Sequence, residues 1–179
     1  MEKRHIQLIA SAVSRVAPGY FKLATTYEPT GIVRERAFCY ELYHMIRCQM
    51  SPDDPISLNG EIDKRGHIDF AEEDRKNPDF VFYVPGTHLG NTTVMEVKGT
   101  LGVAPAEIED DILTLLTFVA RYKYRGGVFL LYNHTLRELV NRLGTRLDAL
   151  RKKAAARNIT VLAVKQAGQQ PERALLAEL

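Results

Sequence analysis

Asp79, Glu96 and Lys98 form a set of side chains that a single hairpin would bring together. The segments Phe80-Val81-Phe82-Tyr83-Val84 and Thr93-Val94-Met95-Glu96-Val97-Lys98 are rich in β-branched and aromatic residues, and Pro85-Gly86 and Gly90-Asn91 punctuate the stretch between them. A turn symmetric about residues 88 and 89 puts Asp79 opposite Lys98 and Val81 opposite Glu96. Side chains alternate along a strand, so Asp79, Val81, Tyr83, Val94, Glu96 and Lys98 share one face. Phe80, Phe82, Val84, Met95 and Val97 share the other. A slip of one residue would scatter the charges and drive them into the core. Two carboxylates a strand apart can hold a hard divalent cation such as magnesium through oxygen ligands. Such an ion lowers the pKa of a bound water and neutralises charge on a phosphate. The Lys98 ammonium can position that water or stabilise charge that builds in the transition state. Phosphodiester hydrolysis is the chemistry that this set would perform.

Glu96 and Lys98 can also be read as a solvated strand face, or as an ion pair with Asp79 that only holds structure. Their neighbours on both strands are apolar, however, and half-buried charges without partners are costly. One metal ion would account for all three.

The elements around the hairpin must present it to solvent at one end. Residues 4–16 carry Ile6, Ile9, Ala12, Val13 and Val16 at helical spacing, and Pro18-Gly19 stops the run. A second helix is expected over 31–50, with Phe38, Leu42, Met45 and Ile46 on one face. A strand follows at Ser57 to Asp63, then a polar stretch. After the hairpin, Pro105 opens a helix carrying Ile108, Ile112, Leu115, Leu116 and Val119. Val128 to Tyr132 reads as a buried strand. Thr135-Leu136-Arg137-Glu138 is a capping box for one long helix reaching Leu150. Ile159 to Val164 is a last strand, and the tail beyond Gly168 is expected to be a short helix or disordered. This order predicts an α/β domain with a mixed central sheet flanked by helices.

Asn77-Pro78-Asp79 and then Glu96-Val97-Lys98, at the end of an apolar strand, resemble the motif of the PD-(D/E)XK nuclease superfamily. The restriction-endonuclease-like core of that family is a helix, a three-strand meander, a helix and a strand. Residues 31–132 follow that order, with 4–16 as an added N-terminal helix and 135–165 as a helix-strand extension, in a single domain over 1–179. The resemblance implies a magnesium-dependent nuclease, with manganese as an alternative ion, acting on DNA in preference to RNA, in defence or repair. It implies Asp79, Glu96 and Val97 as metal ligands, and Asp79, Glu96, Lys98 and Glu35 as the catalytic set. In many members the first core helix contributes a glutamate. Glu35 is preferred because it lies early in that helix and shares the face of Phe38 and Leu42; Glu41 is the reserve. Glu61 resembles an acidic position on the first strand of some members, where it would support the ligands. The family also includes members that have lost activity. A module that binds nucleic acid or a partner protein, with weak or no chemistry, is therefore the alternative.

Charge and composition fit this reading without requiring it. The chain has 179 residues, is 45% hydrophobic and 26% charged, and has a net charge of only +2. Basic residues gather in the last third. Arg142, Arg146, Lys153 and Arg157 recur near helical spacing, and Arg121, Lys123 and Arg125 interleave with Tyr122 and Tyr124. These can be phosphate contacts, a solvated helix face, or cations at a helix C-terminus. His5, His44, His67, His88 and His134 show no metal spacing and read as surface or turn residues, though His44 could approach from the Glu35 helix. Cys39 and Cys48 read as reduced thiols, Cys39 in the core, which suggests a cytoplasmic address. Apolar runs are too short to span a bilayer. Sequence specificity would come from a homodimer, loops or a partner such as a defence complex. A third reading makes the chain a structural subunit whose helix 4–16 docks on another protein.

Overall fold

Thr135 and Glu138 show how local chemistry sets an element boundary in this fold. The Thr135 hydroxyl accepts the Glu138 N–H at 3.2 Å, and the Glu138 carboxylate accepts the Thr135 N–H at 2.7 Å. This reciprocal cap opens a helix, as its sequence predicts. The computed structural model describes residues 2–60, 77–86 and 90–179. The helices are α1 (Glu2–Val13), α2 (Pro18–Phe21), α3 (Glu35–Arg47), α4 (Pro105–Arg121), α5 (Leu136–Leu143) and α6 (Thr145–Arg151). The strands are β1 (Ser57–Gly60), β2 (Phe80–Tyr83), β3 (Thr93–Lys98), β4 (Gly126–Tyr132), β5 (Ile159–Val164) and β6 (Glu172–Leu175).

The fold is α/β, with one six-stranded mixed sheet in the order β1-β2-β3-β4-β5-β6 and helices on both faces. β1, β2 and β3 pair antiparallel, β3, β4 and β5 pair parallel, and β6 closes the far edge antiparallel to β5. The parallel pairs require crossovers, which α4 supplies between β3 and β4, and α5 with α6 between β4 and β5.

Strand alternation divides the apolar side chains into two cores. Phe80, Phe82, Met95, Val97, Leu130 and Tyr132 pack with α1 and α3. Val81, Val94, Phe129, Leu131 and Val161 pack with α4, α5 and α6. In the first core Tyr132 stacks on Phe38, with centroids 3.8 Å apart and planes 2° from parallel, and Phe21 meets both rings edge-on. Such aromatic pairs add about 0.5–1.5 kcal/mol beyond burial alone. They fix the start of α3 against the end of β4.

Several expectations need correction. The helix expected over 31–50 starts only at Glu35 and ends at Arg47. The helix expected from Thr135 to Leu150 is two helices. Gly144, at φ 54° and ψ −131°, breaks it in a conformation that strongly favours glycine. That break also ends the continuous helical stripe of Arg142, Arg146, Lys153 and Arg157. The tail beyond Gly168 forms β6 and a closing 3-10 turn, Leu176–Glu178. Helix α1 buries Ile6, Ile9, Ala12 and Val13 in the chain's own core, so its apolar stripe does not wait for another protein. His5 is no surface histidine: it is 2% exposed, stacks on Phe82 and shares a 2.9 Å hydrogen bond with the Thr93 hydroxyl. Among the described residues no helix is long and apolar enough to cross a membrane.

Candidate active site

The hairpin register differs from the symmetric one by two residues. Phe80 pairs with Met95, Val81 with Val94 and Phe82 with Thr93. Continued one step, this register sets Asp79 across from Glu96 instead of Lys98. A slip of two leaves every side chain on its expected face, so the charged residues still gather on the α4 side of the sheet.

Asp79 and Glu96 form the centre of the cluster. The Asp79 carboxylate accepts the Val97 N–H at 2.7 Å. The two carboxyl groups face each other closely enough that a proton held by one would bridge to the other. Burial pushes the Asp79 carboxyl up to about 6, against the pull of the Val97 N–H, and the charges of Glu35 and Asp111 raise it further. Glu96, only 9% exposed, lies well above the usual carboxylate range, first through burial and then through the facing Asp79 charge.

Glu35 and Lys98 complete the group from two directions. Glu35, at the first turn of α3, accepts the Gly99 N–H at 3.0 Å, and its other oxygen is 3.8 Å from the Lys98 ammonium. Lys98 is 14% exposed and makes its closest ion pair, 2.8 Å, with Asp111 of α4. Burial works against the Lys98 charge, but the Asp111 hydrogen bond and charge, with those of Glu35 and Asp79, outweigh it and hold the amine above its ordinary value. Four acidic groups and one cation therefore converge where β3 ends.

Asp111 was not among the sequence candidates. It lies three residues after Ile108 and four before Leu115, inside the apolar stripe of α4, and a charge in such a stripe is the signal that could have found it. Gly99 is a second missed position. A Cβ there would stand 2.3 Å from the Tyr132 hydroxyl, so only glycine lets the chain turn past that ring toward Glu35. The Tyr132 hydroxyl is buried with no hydrogen-bond partner among the described residues.

Other candidates fall elsewhere. Glu41 sits about 240° further round α3 than Glu35 and makes no contact with the cluster. Glu61, His67 and His88 lie outside the described residues. His44 is exposed and faces Cys48, away from the site. Cys39 is half-buried and Cys48 exposed, both as thiols. The Arg142 guanidinium binds the Val103 carbonyl and Arg146 pairs with Glu109, so both flank the end of α4 that carries Asp111. Lys153 is exposed beyond α6. Arg121 ends α4 and Lys123 follows it, next to the start of β4, at the opposite end of the sheet from Lys98. Tyr124 is core, 5% exposed and packed on Phe118, so it is not free to meet a phosphate.

Among the described residues no three His, Cys, Asp or Glu side chains are gathered tightly enough to hold a metal ion by themselves. The donors that fit one are the Asp79 and Glu96 carboxylates, buried side by side while the nearest cation is drawn to Asp111 and Glu35. Val97 has no side-chain donor. Its carbonyl is the group it can add, turned by the pleat to the same side as the N–H that Asp79 holds. Magnesium needs only one or two protein carboxylates and fills its other positions with water or substrate oxygen.

No family model, curated protein or solved structure matches the chain.

Proposed function

We propose that the chain is a magnesium-dependent nuclease with a restriction-endonuclease-like core, hydrolysing phosphodiester bonds at the end of β3. One observation carries this reading: Asp79 and Glu96 lie carboxyl to carboxyl beside Lys98, with Glu35 reaching the same strand end from α3. A structural ion pair would set Lys98 between the two carboxylates. Here they face each other, and a divalent cation would relieve the repulsion that arises when both are ionised. Asp79, Glu96 and the Val97 carbonyl would hold the ion, with manganese able to replace magnesium. The ion would supply an activated water and neutralise the phosphate. Glu35 would orient that water by hydrogen bonding. Lys98, held on the rim by Asp111, is placed to meet the charge that builds on the phosphoryl oxygens. DNA as the preferred substrate rests on the resemblance of the Asp79 and Glu96-Val97-Lys98 segments to the nuclease motif. The cation contacts of Arg142 and Arg146 beside α4 would hold the backbone.

The test is a cleavage assay on single- and double-stranded DNA and RNA with magnesium, manganese or chelator. Cleavage that needs the ion and is lost in Asp79→Ala and Glu96→Ala supports the reading. A second reading, a nucleic-acid or protein-binding module with weak chemistry, draws on the 2.8 Å Lys98–Asp111 pair, which keeps the ammonium occupied. Purified protein that cleaves nothing with either ion, yet binds nucleic acid in a salt-sensitive way unchanged by Lys98→Ala, decides for the module.

A further inference from the structure

Beside α3, and bordered by Asp79, lies a hollow of about 290 Å³ lined by Cys39, Tyr40, Tyr43, Gly60, Asp79 and Phe80. Three of these six residues are aromatic. Tyr43 and Phe80 lie near-parallel, with planes 22° apart and centroids 6.4 Å apart. The Tyr43 hydroxyl is anchored by donating to the Leu58 carbonyl at 3.3 Å, which leaves the ring as a fixed wall. Tyr40 is 66% exposed, an unusual state for so large a ring, and stands at the mouth. At Gly60 a Cβ would stand 3.2 Å from the Asp79 carbonyl and 3.6 Å from the Phe80 ring, so the missing side chain keeps the floor open.

We propose that this hollow receives one unpaired base of a single-stranded nucleic acid whose phosphate lies at the Asp79–Glu96 pair. The inference rests on the nuclease reading and names its substrate class. Asp79 belongs to both places, lining the hollow while its carboxylate meets Glu96. Helix α3 borders both places, for Glu35 reaches the strand end and Tyr40, about 7.5 Å further along the axis and about 140° round it, lines the hollow. Among the described residues the lining has aromatic faces and no cation, which suits a flat ring. Bases within a duplex already stack on their neighbours and offer no free face, whereas an unpaired base can stack on tyrosine.

The experiment measures equilibrium binding of a labelled oligothymidylate and of a blunt duplex to the full chain in chelator, followed by cleavage of both with magnesium. The variants are Tyr40→Ala, at an exposed ring whose loss spares the core, and Tyr40→Phe, which keeps the stacking face. Tyr40→Ala is expected to weaken single-strand binding by about 5- to 150-fold, the scale of one base–aromatic stack. Tyr40→Phe should recover it, and duplex binding should not change. Cleavage by the wild type together with unaltered single-strand binding by Tyr40→Ala overturns the base site and leaves the nuclease reading intact. Absence of cleavage by any form, with a Tyr40→Ala loss rescued by phenylalanine, supports the base site and removes the nuclease. Equal losses on single strand and duplex, or no single-strand binding by the wild type, overturn the base site.

Discussion

Lys98 and Asp111 face each other at 2.8 Å across the gap between β3 and α4, closer than Lys98 and Glu35 at 3.8 Å. The lysine beside the carboxylate pair is therefore aimed by a helix that starts seven residues after it. Asp111 holds Lys98 and adds its own charge to those that raise Asp79 and Glu96.

Lys98→Ala should lower kcat for cleavage by about 10²–10³-fold while metal and nucleic-acid binding persist, the usual scale for removing one electrostatic contact to the transition state. Asp111→Asn keeps the shape but releases the ammonium, so it should lower kcat by less than Lys98→Ala and leave KM unchanged. The double variant should be no worse than Lys98→Ala alone. Additive losses would show that Asp111 has a role independent of Lys98.

Magnesium should raise the melting temperature of the wild type, since an ion bound only to the folded state stabilises by about 2.7 kcal/mol at a concentration 100-fold above its Kd. Glu96→Gln replaces a buried carboxyl by an amide that can donate the same bridging hydrogen bond to Asp79 but cannot ionise. It should abolish the magnesium-dependent rise without lowering the melting temperature in chelator. Calorimetry with and without the ion reads both effects. An unchanged wild-type melting temperature at saturating magnesium would rule out an ion at this pair.

Gly99→Ala should cost about 1–3 kcal/mol, the range for inserting a methyl group into filled space, because its Cβ would meet the Tyr132 ring at 2.2 Å. Activity should fall beyond what the stability loss explains, since the Gly99 N–H holds Glu35. Gly99→Ala combined with Tyr132→Leu should recover stability. Denaturant titration of the three variants checks this.

His5 should make the fold acid-sensitive. Burial, then the Arg4 charge, pushes its imidazole down to about 4 from 6.5, while Asp54 pulls weakly the other way. A depressed value means that the unfolded chain takes up the proton first. The stabilisation is complete above pH 6.5 and is lost as pH falls from there toward 4, by about 3 kcal/mol at most. The raised carboxyls of Asp79 and Glu96 act with the opposite sign in the same window in both forms, so the His5 effect is read as a difference: in unfolding free energies, the wild type should lose stability relative to His5→Gln as pH falls from 6.5 toward 4. Equal slopes would assign the acid sensitivity to other groups.

The faces of the hairpin were legible in the sequence because a strand has period two, and the apolar set left only one way to turn Asp79, Glu96 and Lys98 together. The register was not. A shift of two residues keeps both faces intact, and the Val97 N–H that Asp79 accepts leaves no mark on hydrophobic pattern. Glu35 was found because it shares a helix face with Phe38 and Leu42. Asp111 was lost in Glu107-Ile108-Glu109-Asp110-Asp111, where acidic residues are expected anyway beside a helix N-terminus. β6, Glu172-Arg173-Ala174-Leu175, is a half-exposed edge strand with too few apolar residues to announce itself. His5 reads as a polar residue on a helix, and only the position of Thr93 beneath α1 makes it core.

Helix α1 has a further consequence for the order in which the molecule can be completed. It leaves the ribosome before the strands do, yet its apolar side packs on α3 and on β5, whose residues Ile159–Val164 are made about 150 residues after Ile9. At translation rates of about 5–20 residues per second, roughly 8–30 s separate the synthesis of Ile9 from that of its partners in β5. Through that interval Ile6, Ile9 and Val13 have no finished core to enter, so the nascent chain carries an uncovered apolar helix until the central sheet closes over it.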